Sequence, residues 1–99
     1  MSEFRVSKAA ANDLFKSGLH TESEWGKEKR NEYLDALESR FIELANDSTS
    51  ALATPRDDIK KGCFSAIVNN HMIIFRKFEY GIRVVRVLHQ SMDFARHIR

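Results

Sequence analysis

The sequence predicts an α+β fold in which an N-terminal strand and an α-helical hairpin pack on an antiparallel β-sheet, and two observations carry that expectation. Apolar residues recur at three- and four-residue spacing through two segments of the first half, and from Cys63 the period falls to two in β-branched and aromatic runs. The 99 residues suit one domain, 1–99, with one hydrophobic core.

Phe4-Arg5-Val6 alternates as a short first strand, and Ser7 is placed to cap a following helix. Ala11, Leu14, Phe15 and Gly18 share one face of that helix, which is expected to run to about Glu24. Trp25-Gly26 then breaks the pattern, with glycine free to close the helix and the indole expected to cover the turn. Tyr33, Leu34, Leu37, Phe41, Leu44 and Ala45 form the stripe of a second helix ending near Asn46. Asp47-Ser48-Thr49-Ser50 and Pro55 read as loop, with 47–58 the expected mobile stretch.

Three strands should follow, Cys63–Val68, His71–Phe78 and Ile82–His89, joined by Asn69-Asn70 and Glu79-Tyr80-Gly81 as hairpin turns. Strict alternation would put Arg83, Val85, Val87 and His89 on one face of the last strand and Ile82, Val84, Arg86 and Leu88 on the other. Both faces then need cover, from the hairpin and from the tail residues Met92, Phe94 and Ile98.

A polar N-terminus and the lack of any run of about 20 apolar residues argue against export and membrane insertion, so a cytoplasmic location is expected. The single cysteine, Cys63, can form neither an intrachain disulfide nor a zinc site and reads as a small apolar strand residue. No metal or other cofactor is expected. Charge is unevenly placed: residues 1–55 hold 7 Lys/Arg against 10 Asp/Glu, a net of −3, whereas 56–99 hold 9 against 4, a net of +5. A basic half suits an acidic partner, whether nucleic acid or protein.

Within that half, Arg76, Arg83, Arg86 and Arg96, with Lys60 and Lys61, are the candidate functional cations, since arginine's fork grips phosphate or carboxylate with two donors. Arg86 lies mid-strand among apolar neighbours and must find a counter-charge, with Asp93 or the terminal carboxylate as the candidates. His89, Asp93 and His97 form the His/carboxylate cluster of the tail, better suited to tying the tail down or to acid–base work than to a metal. Near the bend of the hairpin, Phe15, Leu19, Trp25 and Tyr33 offer aromatic and aliphatic anchors for a partner helix, although burial in the core is the commoner fate of each.

The order strand, helical hairpin with Trp25-Gly26 at its bend, loop, Gly62 and meander resembles the ParE branch of the RelE/ParE toxin superfamily. The most specific likeness lies in Val85-Arg86-Val87-Leu88-His89 through Met92-Asp93 to Arg96-His97, supported by Tyr33, Phe41 and Leu44-Ala45 and by Gly62, His71, Ile74, Phe75 and Arg76. One departure is the stretch 47–56, where the family's Pro and Gly-Arg pair give way to a lone Pro55.

The resemblance implies a non-catalytic bacterial toxin that traps DNA gyrase, at its A subunit, with cleaved DNA. It further implies silencing by a ParD-like antitoxin in a toxin–antitoxin hetero-oligomer. Phe15, Leu19, Trp25, Tyr33, Lys60 and Lys61 would then meet the antitoxin, and Arg76, Arg83, Arg86, His89, Asp93, Arg96 and His97 the target. The RelE branch instead cleaves ribosome-bound message with a C-terminal Tyr or His-Tyr pair; no tyrosine follows Tyr80 here, which makes that activity the alternative. A chain that keeps the antitoxin-binding fold but has lost toxicity is the third possibility.

Overall fold

The computed structural model describes residues 3–46, 53–68 and 70–89. The elements run β1 (Glu3–Val6), α1 (Lys8–Trp25), α2 (Lys27–Asn46), β2 (Thr54–Pro55), β3 (Cys63–Val68), β4 (His71–Phe78) and β5 (Gly81–His89). The strands form one sheet in the order β1-β5-β4-β3-β2. The meander β3-β4-β5 is antiparallel, as its turn residues require, whereas β1 joins β5 in parallel and makes the sheet mixed. A parallel partner needs a crossover between the two strands, and both helices lie within it.

Ser7 explains where β1 stops and α1 starts. Its hydroxyl accepts the Ala10 N–H at 3.1 Å as an N-cap and donates to the Val85 carbonyl at 2.8 Å. At the far end, Gly26 takes φ 91° and donates its N–H to the Glu22 carbonyl, closing α1 one residue before α2 begins. Trp25 does not cover this turn: it is 72% exposed, and nothing lies within 4 Å of a Cβ built on Gly26. Arg30 of α2 bonds Glu22 of α1 across the hairpin.

The core lies between α2 and one face of the sheet. Leu37, Phe41, Leu44 and Ala45 meet Ala66, Val68, Ile73, Phe75, Ile82, Val84 and Val87, with the Phe4 ring 5.3 Å from Phe41. Burial of such side chains stabilises by roughly 1.5–3 kcal/mol each. On α1 only Ala10 and Gly18 are buried; Ala11 and Phe15, read from spacing as inward, are exposed.

Two features of the sheet depart from the sequence reading. Part of the expected loop forms the two-residue edge strand β2, with Thr54 opposite Ser65 and Pro55 opposite Phe64; proline is tolerated at an edge. The register of β4 and β5 slips between Ile74 and Phe75, which face Arg86 and Val84, so that Val85 is an extra residue, a β-bulge. Strict alternation therefore fails: Ile82, Val84 and Val87 face the helices, while Arg83, Arg86 and Leu88 share the opposite face. Cys63, Ser65, Ile74 and Leu88 are buried on that opposite face. The expected covering residues Met92, Phe94 and Ile98 lie outside the described residues.

Candidate functional site

Two surfaces stand out, one on each layer. On the hairpin, α1 and α2 diverge enough to leave an open groove of about 280 Å³ lined by Leu14, Phe15, Gly18, Leu19 and Leu34, with Arg30 and Asn31 on its rim. Phe15 is 61% exposed and Leu19 51%, so these candidates are solvent-facing anchors and not core residues. Gly18 is part of the lining, where an added Cβ would make ordinary contact at 3.8 Å with Arg30 Cγ and Leu34 Cδ1.

Trp25 and Tyr33 do not share that groove. Together with Thr21, Lys29 and Glu32 they line a second depression closer to the bend. Tyr33 is half-buried, its ring 5.0 Å from that of His71, and no hydrogen bond satisfies its buried hydroxyl among the described residues. Burial raises the Tyr33 pKa above 10.0, the nearby Ser17 side chain, short of ordinary hydrogen-bond geometry, opposes the rise, and the Asp13 charge adds to it.

The second surface is the sheet face turned from the helices, where the cations gather. The bulge at Val85 gives Arg86 the same register side as Arg76 and Arg83, a grouping that plain alternation would have split, although its guanidinium turns to Asp13 of α1. Arg86 is the anchored member of the three. Its Nε donates to Asp13 Oδ2 at 2.7 Å and its Nη2 to Asp13 Oδ1 at 3.0 Å, and both side chains are largely buried. Asp13 also accepts the Val87 N–H at 3.0 Å. The hydrogen bond to Asp13 raises the Arg86 pKa further, with burial opposing it. The candidate counter-charge Asp93 lies outside the described residues, and Asp13 was not anticipated because it precedes Arg86 by 73 positions.

Arg83 is exposed and Arg76 half-buried, and neither forms an ion pair with a carboxylate among the described residues. The Arg76 guanidinium lies over Gly62, whose φ of 85° suits glycine. Lys60 and Lys61 are exposed on the turn that precedes Cys63. Asp57 accepts the Gly62 N–H and Asp58 holds Arg56 through two hydrogen bonds of 3.0 Å, which keeps that turn compact. His89 closes β5 opposite His71 in the register; Asp93, Arg96 and His97 lie outside the described residues. Sequence reasoning missed Arg56, whose Nη1 reaches Met72 Sδ at 3.4 Å, and Arg5, which enters the cationic face only through the pairing of β1.

A two-layer domain with an apolar groove on one layer and cations on the other is equipped to hold macromolecules. The profile of the ParE toxin of type II toxin–antitoxin systems, parDE, matches residues 4–94. Toxin ParE1 of Caulobacter vibrioides is 28% identical over 100 residues, covering 99% of both chains. Toxin ParE1 of Mycobacterium tuberculosis (strain CDC 1551 / Oshkosh) is 32% identical over 98 residues, covering 98% of each. A solved structure described as the chromosomal ParDE TA system from P. aeruginosa has the same fold, with a TM-score of 0.76 at 18% identity over 90% of this chain and 96% of that one. The chain belongs to the ParE toxin family of type II toxin–antitoxin systems.

Proposed function

We propose that this chain is a gyrase-poisoning toxin, non-catalytic in itself, which holds DNA gyrase with cleaved DNA in the cytoplasm and is silenced by a ParD-like antitoxin. The observation that carries the reading is the family match across residues 4–94, joined by two Toxin ParE1 relatives that cover nearly the whole chain. The groove beside Phe15 and Leu19 and the depression at Trp25 and Tyr33 are the docking sites for an antitoxin segment that folds on binding. An acidic end of that segment would reach Lys60 and Lys61. The target meets Arg76, Arg83, Arg86 and His89 on the sheet and Asp93, Arg96 and His97, which follow in the sequence.

Gyrase supercoiling of a relaxed plasmid tests this directly. The toxin is expected to abolish supercoiling and accumulate cleaved plasmid, and to leave ribosome-bound message intact. Unimpaired supercoiling together with cleaved message would replace this reading with the ribonuclease.

A further inference from the structure

Three strands bring three arginines into one line. Arg5 of β1 is the register partner of Arg83 of β5, and Arg83 is the partner of Arg76 of β4, all on the face turned from the helices. At a strand spacing of about 4.8 Å the row is about 10 Å long. Like charges directly opposite on neighbouring strands repel and destabilise a sheet, so such a row works against folding unless an anion answers it.

Among the described residues, carboxylates answer it only weakly. Asp13 is committed to Arg86, Asp58 to Arg56 and Asp57 to a backbone N–H. Glu3 reaches Arg5 at 2.9 Å, but both side chains are more than half exposed, and exposed pairs are weak. Beyond Arg76 the register meets Cys63, whose N–H donates to the Lys60 carbonyl, so Lys60 and Lys61 lie in the turn at the end of that register row.

The row also has an aromatic end. The Phe78 and Tyr80 rings stack at 5.3 Å with planes 3° apart, and the Arg5 guanidinium covers the Tyr80 ring at 4.0 Å. Phe78 is 47% exposed. An acidic peptide would use the cations and leave this π-surface idle, whereas single-stranded nucleic acid offers both phosphates and unstacked bases.

We propose that this face binds single-stranded nucleic acid directly, with Arg5, Arg83 and Arg76 along the sugar–phosphate backbone and Phe78 receiving a base. The proposal deepens the gyrase reading by giving the toxin its own contact with the opened strand, and it rests on that reading only for its biological setting.

The test is fluorescence anisotropy of the full chain with a labelled 12-nucleotide DNA of mixed sequence and its RNA counterpart. Binding is expected with a log–log salt slope of about −2, as three single-strand phosphate contacts give. Arg76→Gln with Arg83→Gln should weaken binding at least tenfold and melt no lower than the parent chain. Phe78→Ala should weaken it several-fold without changing the slope. The exposed helix pair Lys16→Gln with Lys27→Gln, an equal loss of charge, should stay within threefold.

No binding at 50 mM salt, or an equal loss in the helix variant, would overturn the proposal. So would a glutamate dodecamer that binds as tightly as the oligonucleotide, since the row would then belong to an acidic protein. The assay contains no gyrase, so its failure leaves the gyrase reading standing, and a chain that binds the oligonucleotide but spares gyrase refutes that reading alone.

Discussion

Asp13 and Arg86, 73 positions apart, form a two-pronged ion pair at the margin of β5, just past the point where β1 stops pairing with it. The same carboxylate accepts the Val87 N–H, and Ser7 supplies a donor to the Val85 carbonyl, so the first turns of α1 complete an edge that β1 is too short to cover. Asp13→Ala should therefore cost about 3 kcal/mol, because it leaves a largely buried guanidinium and a backbone N–H without this acceptor. Replacing both partners, Asp13→Leu with Arg86→Met, should recover much of the loss. Urea denaturation of the parent chain and these two variants measures this; a double variant no better than Asp13→Ala would mean that the pair itself is not the cause.

Gly81 is fixed by backbone proximity. It has φ 139°, and a Cβ there would lie 2.0 Å from the Glu3 carbonyl oxygen, so Gly81→Ala must displace β1 from β5. The expected cost is about 3 kcal/mol. Gly26→Ala supplies the comparison: φ is 91° but nothing lies within 4 Å, and the loss should be about 1–2 kcal/mol. Equal losses in the two would show that close approach plays no part.

Tyr33 gives the alkaline limb of stability a specific cause. Its folded-state pKa is raised, chiefly by burial, so the native chain keeps the phenolic proton where the unfolded chain has lost it. That contribution is fully present below the ordinary tyrosine pKa of 10.0 and is lost as pH climbs through the higher folded value. Stability should accordingly fall above about pH 10, and Tyr33→Phe should flatten the decline. The same variant should cost little at neutral pH, since it removes a buried hydroxyl that lacks a partner among the described residues. Urea midpoints from pH 8 to 11 would show it.

The hairpin groove separates binding from folding. Phe15 and Leu19 are more than half exposed, so Phe15→Asp with Leu19→Asp should change stability by no more than about 0.5 kcal/mol per site. Affinity for the antitoxin should drop at least a hundredfold, about 3 kcal/mol. Titration calorimetry with the proposed ParD-like antitoxin measures the second value, and undiminished affinity would move the docking site elsewhere.

These surfaces differ in how far the sequence reveals them, and the reason is locality. The caps at Ser7 and Gly26, the stripe Leu37-Phe41-Leu44-Ala45 and the β3-β4-β5 meander are set by neighbours within a few residues, and each forms as its spacing requires. Val85 is different, because nothing in Val84-Val85-Arg86-Val87 marks a bulge, yet one extra residue moves Arg86 to the face of Arg83. Arg5 was read only as the polar position of a short strand; its place in the cationic row comes from the parallel pairing of β1, which no local pattern encodes. Phe15 sits at helical spacing with Leu14 and Gly18, yet it is 61% exposed beside the groove, which spacing alone does not reveal.

The central claim is that this chain, free of its antitoxin, arrests replication by trapping gyrase on DNA. Inducing the chain alone in bacteria, then recovering chromosomal DNA under denaturing conditions and probing for covalently attached gyrase, tests it most directly. The account predicts a halt in DNA synthesis and a gyrase subunit retained on the DNA, both reversed when the antitoxin is co-expressed. Normal growth and DNA content, with no gyrase retained at full expression, would contradict it.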